Sequence, residues 1–101
     1  VVAERAQAWA DALLDSDLEG AWALTSPGFR EHTAPEGYFR YIAGAGRWTG
    51  AELESVTCQA EACEVKFIVE YEIRRYKMSS RRPLENTWVL VDGKWWLYVP
   101  P

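Results

Sequence analysis

The sequence has little of the chemistry that most enzymes use. It holds one histidine, His32, and two cysteines, Cys58 and Cys63. Two cysteines with no histidine nearby make a poor zinc site, and no metal ligand set is expected. Four residues separate the cysteines, rather than the two of a redox motif. No Ser/His/Asp or Cys/His group can be drawn with any specificity, and no phosphate motif stands out, so no cofactor is implied. No apolar run approaches the roughly 18 residues of a membrane span. No signal-peptide pattern is present. The chain starts Val1-Val2 rather than Met, which reads as a processed or trimmed product. Positive charge is also scarce. With 11 basic against 15 acidic residues the net charge is −4, which argues against a nucleic-acid partner. Five bases cluster at Arg74, Arg75, Lys77, Arg81 and Arg82. The plain reading is a solvated loop and strand end, and the sharper one is a docking patch for an acidic partner.

What the chain has is apolar and aromatic. It is 101 residues long, 49% hydrophobic and 14% aromatic, with six tryptophans. That length suits one domain, 1–101, able to bury a core without a metal. The tryptophans read as large core fillers, or as the lining of a ligand groove.

Residues 2–15 read as a helix. Val2, Ala6, Trp9, Ala10, Leu13 and Leu14 share one face, and the Ala content adds propensity. Ser16-Asp17-Leu18-Glu19 reads as a capping box opening a second helix to about Leu24, with Leu18 and Trp22 inward. Gly20 weakens that helix by roughly 1 kcal/mol relative to Ala. Ser26-Pro27-Gly28 ends it, and Phe29 to Thr33 reads as irregular or briefly extended. Thr33-Ala34-Pro35-Glu36 is a second box-like cap, opening a third helix over Pro35 to Ala43 with Tyr38, Phe39, Tyr41 and Ile42 on its apolar face.

The rest reads as strand: about 48–58, 62–76, 84–91 and 94–99, with Lys77 to Pro83 as a long connection. The clearest alternation is CEVKFIVEYEIRRY, in which Cys63, Val65, Phe67, Val69, Tyr71 and Ile73 take one face. A period of two means one buried face and one wet face. Asp92-Gly93 is a strong two-residue hairpin signal. It sets Leu90 opposite Trp95 and Trp88 opposite Leu97 on one side, with Val89 opposite Trp96 on the other. The expected fold is α+β: three N-terminal helices packed on a curved, mostly antiparallel four-stranded sheet. If residues 59–62 form the loop between the first two strands, Cys58 and Cys63 face each other at disulfide distance. Such a short loop contributes roughly 2 kcal/mol. The spacing favours that bond over two reduced cysteines. It points to a periplasmic or other extracytoplasmic location, with the cytoplasm as the alternative.

The amphipathic Ala/Trp helix, then SDLEGAWALTSPGFR, the long alternating strand and the terminal WVLVDGKWWLYV together resemble the nuclear transport factor two-like superfamily, also called SnoaL-like or cystatin-like. The resemblance implies a cone with a pocket between the concave sheet and the helices. That pocket would be lined by Trp9, Trp22, Tyr38, Tyr41, Phe67, Tyr71, Trp88 and Trp95. Members of the group include isomerases, dehydratases, cyclases and non-catalytic modules, so fold alone does not set the role.

Its enzymes place an Asp, His or Glu inside the cone, whereas the inward set of the central strand here has neither carboxylate nor imidazole. His32 reads as a surface residue, and Asp17 as a helix cap. The first expectation is therefore a non-enzymatic exported domain, with no catalytic residue assigned. It would bind a protein partner or a small apolar ligand. The alternative is a small lyase or isomerase drawing on Tyr38, Tyr41, Tyr71 and His32. A homodimer is also expected, its face carrying Ile68, Val89 and Trp96 on the otherwise wet side of the sheet.

Overall fold

The computed structural model describes residues 1–42 and 48–99, apart from the side chains of Tyr41 and Arg74. Four helices precede four strands among these residues: α1 (Val2–Leu14), α2 (Leu18–Trp22), α3 (Pro27–His32), α4 (Pro35–Tyr41), β1 (Trp48–Gln59), β2 (Ala62–Ile73), β3 (Met78–Val91) and β4 (Lys94–Leu97). The sheet is antiparallel throughout, in the order β1-β2-β3-β4.

Helix α1 buries Val2, Ala6, Trp9, Ala10 and Leu13 of the expected stripe, while Leu14 at its end is only half-buried. Its end differs from expectation. Ser16 does not cap α2. It has φ 59, and its amide donates to Leu13 O, while Asp17 N donates to Ala12 O. These two bonds form a Schellman motif that terminates α1, with Ser16 in the left-handed position usually held by glycine. The capping duty passes one residue on. The Asp17 carboxylate accepts from Gly20 N at 3.0 Å and starts α2. A Cβ on residue 20 would stand 2.3 Å from Asp17 Oδ2, so any larger residue would push the capping carboxylate aside.

Residues 29–33 were expected to be irregular, yet most of them belong to α3. The reason is Pro27. Helix α2 already stops at Trp22, short of the expected Leu24, and Pro27 sits in the first turn of α3, where its missing amide costs nothing. The new helix carries Phe29 onto Tyr38, edge to face at 5.7 Å. Helix α4 opens at Pro35 behind Ala34, with no side-chain cap from Thr33. Its expected last residue, Ala43, lies outside the described residues.

Strand β3 begins at Met78, six residues before the expected Leu84. The stretch expected to connect strands pairs with Ile68 to Ile73 instead. The chain reverses in a single 3₁₀ turn, Arg74–Tyr76, followed by Lys77 at φ 50. Pro83 falls inside this strand. It is tolerated because β4 covers only Trp88 to Val91, which leaves Pro83 on a strand edge where no ladder partner needs its amide.

The β3–β4 register is the expected one, with Asp92 at φ 52 and Gly93 at φ 79. Strand β4 stops at Leu97 rather than Val99. Beyond it the chain meets the backbone after α2: Leu97 N donates to Leu24 O, and Ser26 N donates to Leu97 O. This isolated bridge covers one end of the free edge of β4.

The β1–β2 turn contains Ala60 and Glu61 alone, not four residues, because Gln59 and Ala62 still pair. Cys58 and Cys63 are the adjacent pair and are joined by a disulfide. Two register shifts in β1 keep Trp48, Ala51, Leu53 and Val56 all against the core, although their spacing breaks strict alternation. Such bulges bend the strand, which helps curve the sheet around α1. Cys63, Val65, Phe67, Val69 and Trp88 have no exposed surface and form the floor under the helices.

Candidate functional site

A cleft of about 490 Å³ opens between the helices and the inward face of β3. Helix α1 contributes Trp9 and Leu13. Tyr38 and Ile42 come from α4 and the residue after it, and Trp48 from the start of β1. Strand β3 supplies Arg82, Leu84, Glu85, Asn86 and Thr87. The end of β4 and the chain beyond it supply Leu97, Tyr98 and Val99.

The wall is apolar with a few placed polar atoms. The Trp9 indole Nε1 donates to Tyr38 Oη at 2.8 Å, and both residues are buried. That bond ties α1 to α4 across the inner end of the cleft. Trp9 also meets Trp48 edge-on at 6.1 Å and Phe67 at 5.8 Å, so its ring is held on two sides. Asn86 Oδ1 accepts from Trp88 Nε1 at 2.9 Å. Arg82 lies opposite Val69 in the ladder, which puts it on the inward side, and its guanidinium sits 5.6 Å from the Tyr71 ring centroid. No acidic partner for Arg82 is present among the described residues. The ion pairs found there are Lys66–Glu54 and Arg81–Glu52.

Of the eight aromatic residues expected at the pocket, Trp9 and Tyr38 line this cleft. Phe67 and Trp88 lie fully buried in the floor. Tyr71 is half-buried beside Arg82, and Trp95 packs on the edge of the core. Trp22 points elsewhere, donating to Thr33 O at 2.8 Å. The side chain of Tyr41 lies outside the described residues. His32 is exposed at the end of α3 and does not line the cleft. The polar residues Arg82 and Asn86 are absent from the sequence expectation. Alternation did contain them, since Ser80, Arg82, Leu84, Asn86 and Trp88 are every second residue. Arg82 falls in the stretch expected to connect strands, whereas Asn86 lies within the expected strand, two residues before Trp88.

The outer face separates the three apolar residues expected there. Val89 lies beside Trp96, but Ile68 stands opposite Pro83, six positions along β2 from Val89's partner Ala62. At the rise of a strand that is about 20 Å. Glu64 and Lys66 occupy the interval. No group of three or more His, Cys, Asp or Glu side chains among the described residues is placed to hold a metal. No described helix is long and apolar enough to cross a membrane.

No protein-family model matches the sequence, and no curated protein matches it. Solved structures do match in shape. An NTF2-like transpeptidase from Campylobacter jejuni superposes with a TM-score of 0.62 at 10% identity, covering 91% of this chain and 92% of that one. The fold is NTF2-like. A SEC-C motif containing protein from Psychrobacter arcticus superposes with a TM-score of 0.68 at 15% identity over 90% of this chain; the chain spans 54% of that protein. TerC, co-crystallised with polyporic acid, gives a TM-score of 0.61 at 18% identity, with 94% and 86% of the two chains covered. At these identities the likeness extends to the NTF2-like fold and no further.

Proposed function

We propose that this NTF2-like domain binds a small, mainly apolar ligand that carries one acidic group. The observation behind this reading is the cleft itself: Trp9, Leu13, Ile42, Trp48 and Leu84 offer apolar wall, and Arg82 stands on its rim without a carboxylate partner among the described residues. A guanidinium in that position gives an apolar acid both a charge and a direction of entry. The structure of TerC with polyporic acid supports the reading by analogy of fold alone. Binding is the role, not turnover, and the domain acts in an extracytoplasmic compartment such as the periplasm. The Cys58–Cys63 disulfide is compatible with that location.

The test is titration with the apolar anionic dye 8-anilino-1-naphthalenesulfonate, followed by its fluorescence. The wild type binds saturably. Arg82→Gln weakens binding by about tenfold, the value of one charge-assisted hydrogen bond. Leu84→Trp fills the cleft and abolishes it. A Leu84→Trp variant that is folded and binds as the wild type does would refute the reading. A lyase or isomerase role would have to use Glu85, the one carboxylate lining the cleft among the described residues. Turnover of a bound ligand that is lost in Glu85→Gln would replace binding with catalysis.

A further inference from the structure

Away from the cleft, two arginines converge on one tryptophan. Arg5 comes from α1 and Arg30 from α3, and both guanidinium carbons lie 4.6 Å from the centroid of the Trp96 ring. The two charges are therefore no more than twice that distance apart. Each arginine is anchored by its Nε. Arg5 Nε donates to Trp95 O, and Arg30 Nε donates to Thr25 O at 3.0 Å. Arg30 also stands 6.0 Å from the centroid of the Trp22 ring.

Anchoring like this holds two cations together, and they repel. The guanidinium of Arg5 has its pKa lowered, first by burial and then by the charge of Arg30. A chain with four more acids than bases has carboxylates to spare, yet none is paired with either arginine among the described residues. With Nε occupied, each side chain keeps four Nη–H donors that have no protein acceptor there. Contact with the indole and bonding to carbonyls restrain both side chains in advance, which lowers the cost of ordering them around a ligand.

We propose that Arg5 and Arg30, held over Trp96, form a binding site for one oxyanion, a carboxylate or a phosphate group. The site lies at the outer edge of β4, and none of its three residues lines the apolar cleft. Its chemistry is the bidentate, charge-assisted recognition at which guanidinium groups excel. The bound anion cancels the repulsion between the arginines and bridges α1 to α3 across the end of the sheet.

The experiment is an NMR titration of ¹⁵N-labelled protein, reading the Trp96 indole N–H, which is identified by its loss in Trp96→Phe. Inorganic phosphate and acetate are the two probes, with chloride at matched ionic strength as the control. Phosphate, acetate or both shift the Trp96 resonance saturably, and whichever binds more tightly names the anion class. The Trp9 indole stays unmoved. Replacing Arg5 or Arg30 by Gln weakens the response about tenfold each, whereas Leu84→Trp leaves it intact. If neither anion moves Trp96 more than chloride does, the proposal fails on the wild-type protein alone, whether or not the variants fold. An undiminished response in a folded double variant, Arg5→Gln with Arg30→Gln, overturns it as well.

Discussion

Tyr38→Phe removes one oxygen atom from the inner end of the cleft and keeps the ring. The edge-to-face contact with Phe29 remains, so the packing loss is small. What goes is the acceptor for Trp9 Nε1, at 2.8 Å between residues that are 4% and 1% exposed. A buried donor left unmet costs about 1–3 kcal/mol, more than the net worth of a typical hydrogen bond. For a domain of this size each kcal/mol lowers Tm by roughly 4–8 °C. Urea unfolding followed by tryptophan fluorescence measures the loss directly, and an unchanged m-value confirms that the native state has kept its compactness. Trp9→Phe and the double variant complete a cycle. Once the donor is gone the missing oxygen matters less, so the double variant loses less than the sum of the singles. A Tyr38→Phe protein within about 0.5 kcal/mol of the wild type would refute the reasoning. It would mean that water in the cleft satisfies the indole as well as the phenol does.

Ser16→Gly stabilises the protein by about 1 kcal/mol, because it relieves a left-handed backbone at φ 59 that costs most side chains that much; a lower urea midpoint would contradict the Schellman assignment. Gly20→Ala, which ordinary helix propensity favours, destabilises by about 1 kcal/mol, since its Cβ displaces the Asp17 cap; stabilisation in thermal melts would show the cap to be dispensable. Replacing Cys58 and Cys63 by Ala lowers stability by about 2 kcal/mol, the chain-entropy value for so short a loop, as read from the urea midpoint; an equal midpoint with the bond present and absent rules that contribution out. A homodimer through the outer sheet face shows as concentration-dependent sedimentation that Val89→Glu abolishes, and a wild type that stays monomeric at every concentration removes it.

Much of the architecture was legible in local pattern. The period-two run from Cys63 named the residues of the floor, because a central strand has one face to bury and its neighbours cannot change which residues those are. Asp92-Gly93 set the last hairpin and its register, because few residue pairs accept two successive positive φ angles. The stripe on α1 and the pairing of Cys58 with Cys63 were readable in the same way. The limits of the elements were harder to read. Pro27 and Pro83 show that proline's effect depends on what needs its missing amide. At Pro27 no partner does, since it begins a helix, and at Pro83 none does, since it lies on an edge. The cap of α2 falls to Asp17 alone for a similar reason: the end of α1 claims Ser16 first.

The sequence by itself determined the alternation in β2, the amphipathic α1 and the β3–β4 turn, all of which depend on neighbours close in the chain. Tertiary structure alone decided the sites. Arg82 reaches the cleft only because β3 extends past Pro83 to lie along β2. Arg5, Arg30 and Trp96 are far apart in sequence and meet because the backbone around Thr25 pairs with the edge of β4. Contacts of that kind depend on how separate segments pack, and no local periodicity encodes them.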